Sequence, residues 1–278
     1  MIISIARTHL SPPGAKPRMS PLARSTKTRP PDGVGNERQE KMKKIVDRRT
    51  LLSYGGLLGA GLVGSSSLAR AATCDGTPTQ TAGPFYPVVF PTDGDMDLTF
   101  IQGHQHSAKG LLVIVEGRIQ GTDCNPVAGA IVEIWQATAS GRYNDDRDSN
   151  PAPRDDDFQG WGRVVTGVDG KFRFKTIKPG AYPTDPSNPT GWIRPPHIHF
   201  QVTAPGAPRL VTQQYFAGEP LNDKDEILLD LRHRVGDQVA QAVVTAFTGS
   251  GTADDPLHGI FDITVGGPGE RGVTPFLD

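Results

Sequence analysis

The chain has 278 residues, a formal net charge of −1, 33 glycines, 25 prolines and 2 cysteines. That length suits one large domain or two small ones, and this much glycine and proline goes with many strands joined by turns rather than with a helical bundle. The charge is unevenly spread: residues 1–71 carry 13 Lys/Arg against 4 Asp/Glu, and the remainder carries 16 against 26. An acidic body argues against nucleic-acid binding, which needs a positive footprint on the folded part. Cys74 and Cys124 are too few for a zinc cage or a disulfide framework. In an oxidising compartment they could pair, or they could remain two independent buried thiols.

Residues 1–41 are rich in Pro and Arg, lack periodicity and are expected to be disordered. Met42, followed by Lys43 and Lys44, is a second candidate translation start, which would leave residues 1–41 untranslated. Residues 42–71 read as a twin-arginine-type signal peptide, with a basic start, the pair Arg48-Arg49, an apolar stretch from Leu51 to Val63 and an A-x-A element at Ala69-Arg70-Ala71. The apolar stretch is too short and glycine-rich for a membrane span. The mature chain is therefore expected to be exported to the periplasm, without a span, along a route that carries proteins already folded.

Residues 72–278 read as one all-β domain. "LLVIVEGRIQ", "VAGAIVEIWQA", "GRVVTGVDGKFRFKTIKPG", "HIHFQVTAP", "RLVTQQYF" and "HGIFDITVG" are strand-like runs separated by turn signals, the pattern of a β-sandwich with long loops. Asp169-Gly170 is a hairpin signal between alternating runs. "NDDRDSNPAPRDDD", residues 144–157, reads as a solvated loop rather than a calcium site, because its acids lack fixed ligand spacing. "DKDEILLDLRHRVGDQVAQAVVTAF" could carry a helical turn or two and is left unassigned. Trp135, Trp161 and Trp192 read as core or pocket-wall aromatics, and His104 and His106 as surface residues.

The chemistry concentrates in "RPPHIHF", residues 194–200. Residues two apart on a strand share a face, so His197 and His199 aim at one point. They are half of a metal site, or histidines hydrogen-bonded within a strand. No Asp or Glu adjoins them to complete an iron facial triad. Tyr143 and Tyr182 each lie at a turn just after a strand. A phenol titrates near ~10 and binds only a metal acidic enough to displace its proton. Tyr143 and Tyr182 are either structural caps and packing residues, as most turn tyrosines are, or ligands; two tyrosinates with two histidines would point to Fe(III), since zinc prefers His, Cys and carboxylate.

The chain resembles the intradiol ring-cleaving catechol dioxygenases, and within them the protocatechuate 3,4-dioxygenase type. The likeness runs through "TPTQTAGPFYP", "PVAGAIVEIWQATASGRY", "VDGKFRFKTIKPGAYP", "RPPHIHFQV" and "LVTQQYFAGEPL". It implies one ferric ion per chain held by Tyr143, Tyr182, His197 and His199, with Tyr182 and His199 axial. It implies Arg194 beside the bound substrate, Gln213 behind it, and Thr81, Gly83 and Pro84 approaching the substrate ring. In a two-subunit relative that last segment comes from the other chain. The implied reaction inserts both atoms of O2 between the hydroxyl-bearing carbons of a small aromatic diol, giving a cis,cis-muconate-type product. Tyr182 would act as ligand and then as base, and Arg194 would stabilise developing charge. Relatives assemble through this domain, so a homo-oligomer is compatible with it.

One feature departs from the pattern: the segment "PTDPSNPTGW" between Tyr182 and Arg194 is longer than in typical protocatechuate enzymes, which leaves ring-substituent specificity open. No long helical N-terminal domain of the kind the catechol 1,2-dioxygenase branch uses for dimerisation is expected from the sequence, which favours the protocatechuate-like branch in architecture. Two other functions compete. A non-catalytic β-sandwich binding module has no reason to keep four ligands and Arg194. A zinc hydrolase using His197 and His199 would want a carboxylate ligand and a nearby general-base Glu.

Overall fold

The structure is a computed structural model and describes residues 73–267 apart from positions 92 and 189. The leader and signal segments lie outside the described residues. Within them no helix is long and apolar enough to cross a membrane.

The described residues are mostly β, in two five-stranded sheets and one two-stranded ladder. The first sheet is built on β1 (Leu112–Gly121). On one side it pairs antiparallel with β4 (Lys171–Ile177). On the other it pairs in parallel with β11 (Leu257–Ile260) and then β12 (Ile263–Val265). The short β10 (Phe247–Thr248) completes this sheet beside β11. The second sheet has the order β3 (Trp161–Val165), β2 (Ile131–Trp135), β7 (His197–Thr203), β8 (Leu210–Phe216), β9 (Val244–Thr245). The ladder joins β5 (Tyr182–Pro183) to β6 (Ile193–Arg194).

Alternation along the strands sends Val113, Val115, Ile119, Phe172 and Phe174 from the first sheet, and Val132, Ile134, Ile198, Phe200 and Val202 from the second, into one shared core. The opposite face of β7 is left to His197, His199 and Gln201, which are buried as well. The face that could have met solvent is covered instead, and the site is there.

Three sequence readings need correction, and one open segment gains its helices. Asp169-Gly170 makes a turn, with Gly170 at φ +69°, but β3 and β4 belong to different sheets, so it is a connection between sheets and not a hairpin. A turn signal fixes the reversal without fixing which strands pair. "HGIFDITVG" is two strands: the chain breaks at Phe261, whose N–H donates to the Glu116 carbonyl at 2.8 Å. Gly117 permits this, because a Cβ there would lie 2.0 Å from the Phe261 carbonyl oxygen. The unassigned segment contains α1 (Glu226–Val235) and α2 (Asp237–Ala240). Asp225 caps α1 by accepting from the Leu228 N–H, while Leu228 and Leu231 pack with Tyr215 and Val243.

The last correction concerns residues 144–157. Asp148, Asn150 and Asp155 are buried rather than solvated. Short Asp and Asn side chains accept from backbone N–H groups two residues on, as Asp148 does from Asn150 and Asn150 from Ala152, and this folds the loop on itself. Cys74 and Cys124 form a disulfide that pins the start of the described chain to the turn after β1.

Candidate metal centre

β7 places His197 and His199 on one face, with their Nε2 atoms 3.2 Å apart. β5 brings the Tyr182 hydroxyl to 3.5 Å from His197 Nε2. Tyr143 completes the group, its ring edge-on to that of Tyr182 at 5.6 Å between centroids. All four predicted ligands therefore converge. Two glycines allow the loops to close: a Cβ on Gly141 would lie 2.2 Å from the Ala181 carbonyl oxygen, and one on Gly180 would lie 2.5 Å from the Ala139 oxygen. The Tyr143 N–H donates to Asp148 Oδ2 at 2.7 Å, so the folded acidic loop holds this tyrosine in place.

The protonation states suit a cation. His197 Nδ1 lies 2.7 Å from the Pro195 carbonyl, which requires the proton on Nδ1 and leaves a lone pair on Nε2. Burial, and then the Arg194 charge, hold both imidazoles well below the ordinary value and thus neutral. The phenols are pushed the other way: burial and then neighbouring Tyr182 raise Tyr143, and burial raises Tyr182 against the pull of Arg194. The Tyr143 hydroxyl is buried without a hydrogen-bond partner. An orphaned phenol facing two neutral imidazoles and a second phenol is costly in an apolar interior. A hard, strongly acidic metal ion would satisfy these donors together, and ferric iron fits. Among the described residues no group of three or more His, Cys, Asp or Glu could hold a metal ion, which leaves the zinc reading without its carboxylate.

Trp135, the register partner of His199 across β2 and β7, stacks on its imidazole with centroids 4.8 Å apart and planes 7° from parallel. Gly83 approaches the same ring from the cavity side, where an added Cβ would lie 3.5 Å from His199 Cε1. Thr81, Gly83 and Pro84 line the cavity beside the site, together with Tyr182, Arg194 and His199.

Arg194 is 4 % exposed. Its Nε donates to Asp225 Oδ2 at 2.6 Å and its Nη2 to Gln213 Oε1 at 2.5 Å. Burial alone would weaken its charge, but Tyr182, Tyr215 and Asp225 outweigh that and raise its pKa above the ordinary value. Gln213 Nε2 donates in turn to the Thr81 carbonyl at 2.9 Å, tying the cavity segment to the arginine. Asp225, Tyr215 and Asp148 were missed from sequence. The signal for Asp225 is an acid preceding the Leu228/Leu231 spacing of a helix. Tyr215 lies two residues after Gln213 and so shares its face.

Comparison with known proteins shows the family. A family model described as "Dioxygenase" matches residues 82–265. The chain is 39% identical over 182 residues to the protocatechuate 3,4-dioxygenase beta chain of Burkholderia cepacia, covering 65% of this chain and 74% of that one. It is 37% identical over 145 residues to 6-chlorohydroxyquinol 1,2-dioxygenase of Cupriavidus pinatubonensis, covering 49% of this chain and about half, 51%, of that protein. Among solved structures, the dioxygenase domain of a dioxygenase carbohydrate-binding protein fusion from Streptomyces sp. SirexAA-E superposes with a TM-score of 0.50 at 30% identity, over 69% of this chain and 99% of that one. The chain belongs to the intradiol ring-cleaving dioxygenase family. Its similarity reaches both the protocatechuate and the hydroxyquinol members.

Proposed function

We propose that this protein is a non-haem Fe(III) dioxygenase that cleaves a catechol-type ring between its two hydroxyl-bearing carbons, with O2, to a cis,cis-muconate-type acid. The observation that carries the reading is the convergence of Tyr143, Tyr182, His197 and His199, with a buried phenol that lacks any partner. These four residues would hold one iron per chain, in a pocket built on a β-sandwich. When bound, ferric iron supplies a strong Lewis acid that withdraws electron density from a chelated diol and opens its ring carbons to O2.

The chain's own residues do the rest. Tyr182, which would be held as the phenolate with the ferric ion bound, would take a proton from an incoming diol hydroxyl, the role of a positioned general base; without the metal, burial keeps it protonated. Arg194 presents a fixed positive charge where negative charge develops, at no cost of reorganisation, because Asp225 and Gln213 already hold it. The segment of Thr81, Gly83 and Pro84 meets the flat face of the ring. Trp135 and Phe85 keep water from the ligand side.

We also propose that the mature chain is exported by the twin-arginine route and works in the periplasm. The Cys74–Cys124 disulfide supports an oxidising compartment.

The test is the visible spectrum and iron content of purified protein, before and after catechol under nitrogen, followed by oxygen uptake and product identification in air. A tyrosinate-to-iron band that shifts with catechol, and a muconic acid product, are expected. Protein that holds no ferric iron, or holds it and consumes no oxygen with any catechol, overturns the reading.

A further inference from the structure

The cavity segment that begins at Thr81 is held at one end by Gln213, whose Nε2 donates to the Thr81 carbonyl. Further along, the Tyr86 hydroxyl donates to Glu133 Oε1 at 3.0 Å, and Gln201 Nε2 donates to Glu133 Oε2 at 2.7 Å. Glu133 and Gln201 are register partners across β2 and β7 and each is 8 % exposed. They lie next to Trp135 and His199 on the same face, because residues two apart on a strand share one. The Tyr86 ring meets Trp135 edge-on at 4.9 Å between centroids, and Trp135 is the ring that stacks on His199. Arg147 Nη2 donates to the Tyr86 carbonyl at 2.8 Å. Burial, and then the Glu133 charge, push the Tyr86 phenol up to about 12, so it remains a donor at neutral pH.

Both Glu133 oxygens are thus held by neutral donors. β2 and β7 already pair through their backbones, so a carboxylate buried on that face costs desolvation that the sheet itself does not need. What the carboxylate adds is a grip on Tyr86. Between the Thr81 and Tyr86 anchors, Gly83 approaches the His199 ring and Phe85 packs on Tyr143 with ring centroids 4.6 Å apart. We infer that Tyr86 and Glu133 are positioning residues: their hydroxyl–carboxylate bond clamps the span from Thr81 to Phe85 over the cavity, and so fixes the wall against which the ring of a bound diol lies. The ligand in this statement rests on the catechol-cleavage reading, whereas the clamp does not.

Tyr86→Phe removes one oxygen and keeps the ring on Trp135. A span released from its anchor is open to chymotrypsin after Phe85, and cleavage follows the population of the open form. Full-length, iron-loaded protein is digested, with the cut after Phe85 followed by mass spectrometry, and is titrated with catechol under nitrogen. In Tyr86→Phe and in Glu133→Ala that cut is expected to be about tenfold faster and catechol binding about tenfold weaker, the scale of one lost hydrogen bond to a charged group, with iron content unchanged. Glu133→Gln can still accept from Tyr86 while Gln201 turns its amide to accept from it, and is expected to recover most of both losses. A cut no faster in Tyr86→Phe overturns the clamp. A faster cut with unchanged catechol affinity overturns the positioning role and leaves the bond a structural one. Glu133→Gln no better than Glu133→Ala overturns the hydrogen bond as the basis of the clamp. Wild-type protein that binds no catechol sinks the ring-cleavage reading and the positioning with it, while the cut after Phe85 still decides the clamp.

Discussion

Tyr182 and Arg194 are register partners in the ladder between β5 and β6. The proton acceptor and the cation of the proposed chemistry are thus fixed opposite each other across one hairpin. The intervening segment can lengthen outward without moving either residue. The extra length noted in the sequence at "PTDPSNPTGW" therefore changes the cavity mouth and leaves the reacting groups alone.

Replacing Tyr182 with Phe removes only the hydroxyl. Iron is expected to stay bound through the other three residues, while diol association slows by about 100-fold, the scale of a lost general base. Stopped-flow mixing with catechol under nitrogen reads this directly, and an unchanged association rate removes Tyr182 as the proton acceptor.

Arg194→Ala is expected to bind catechol still, with turnover reduced by about 100-fold, as for loss of one preorganised electrostatic partner. It also strands Asp225, which is 0 % exposed, without its cation. Asp225→Asn makes the converse break. Each variant should lose about 3–5 kcal/mol of stability, since half of a buried pair is worse than none. Urea midpoints check the stability change, and a cost within about 1 kcal/mol would put the pair among ordinary surface bridges.

Acid should destabilise the metal-free protein. Burial and then Arg194 depress His197 and His199 below the ordinary 6.5. The unfolded chain takes up these protons as the pH falls through 6.5, and the folded chain does not until much lower. Stability is thus complete above that value and declines steadily beneath it. Unfolding midpoints of metal-free protein across this range measure the slope, and His197→Gln with His199→Gln should flatten it.

The disulfide closes a loop with a sequence separation of 50. Loop-closure entropy puts its contribution at about 4 kcal/mol. Cys74→Ser with Cys124→Ser should lower the thermal midpoint while leaving the iron spectrum as it was. A change in the spectrum would mean that the disulfide shapes the site as well as the scaffold.

That His197 and His199 share a face was legible from the strand period of two, and Tyr143 and Tyr182 from turns that directly follow strands; Arg194 and Gln213 were reached only through the family resemblance. Asp225 was not legible, since its partner lies 31 positions away and only tertiary packing joins them. The 144–157 loop misled for a related reason. Its acids look hydrated in composition, yet they are consumed one by one by local N–H groups and by Tyr143. The split between β11 and β12 depends on Gly117 of a distant strand, which the C-terminal run itself cannot reveal.

Thr77 and Thr264 clasp each other reciprocally: the Thr77 N–H donates to the Thr264 carbonyl at 3.0 Å, and the Thr264 N–H to Thr77 Oγ1 at 2.9 Å. The clasp spans 187 positions, and β1 likewise waits on β11 and β12 for its parallel neighbours. No ribosome-bound chain shorter than this can close the first sheet, and pairings this remote in sequence are slow to form. The fold is therefore completed as a late event, after synthesis has passed Thr264. Until then the buried strands are open to chaperones and proteases, and the face of β7 that carries His197 and His199 has no finished scaffold behind it.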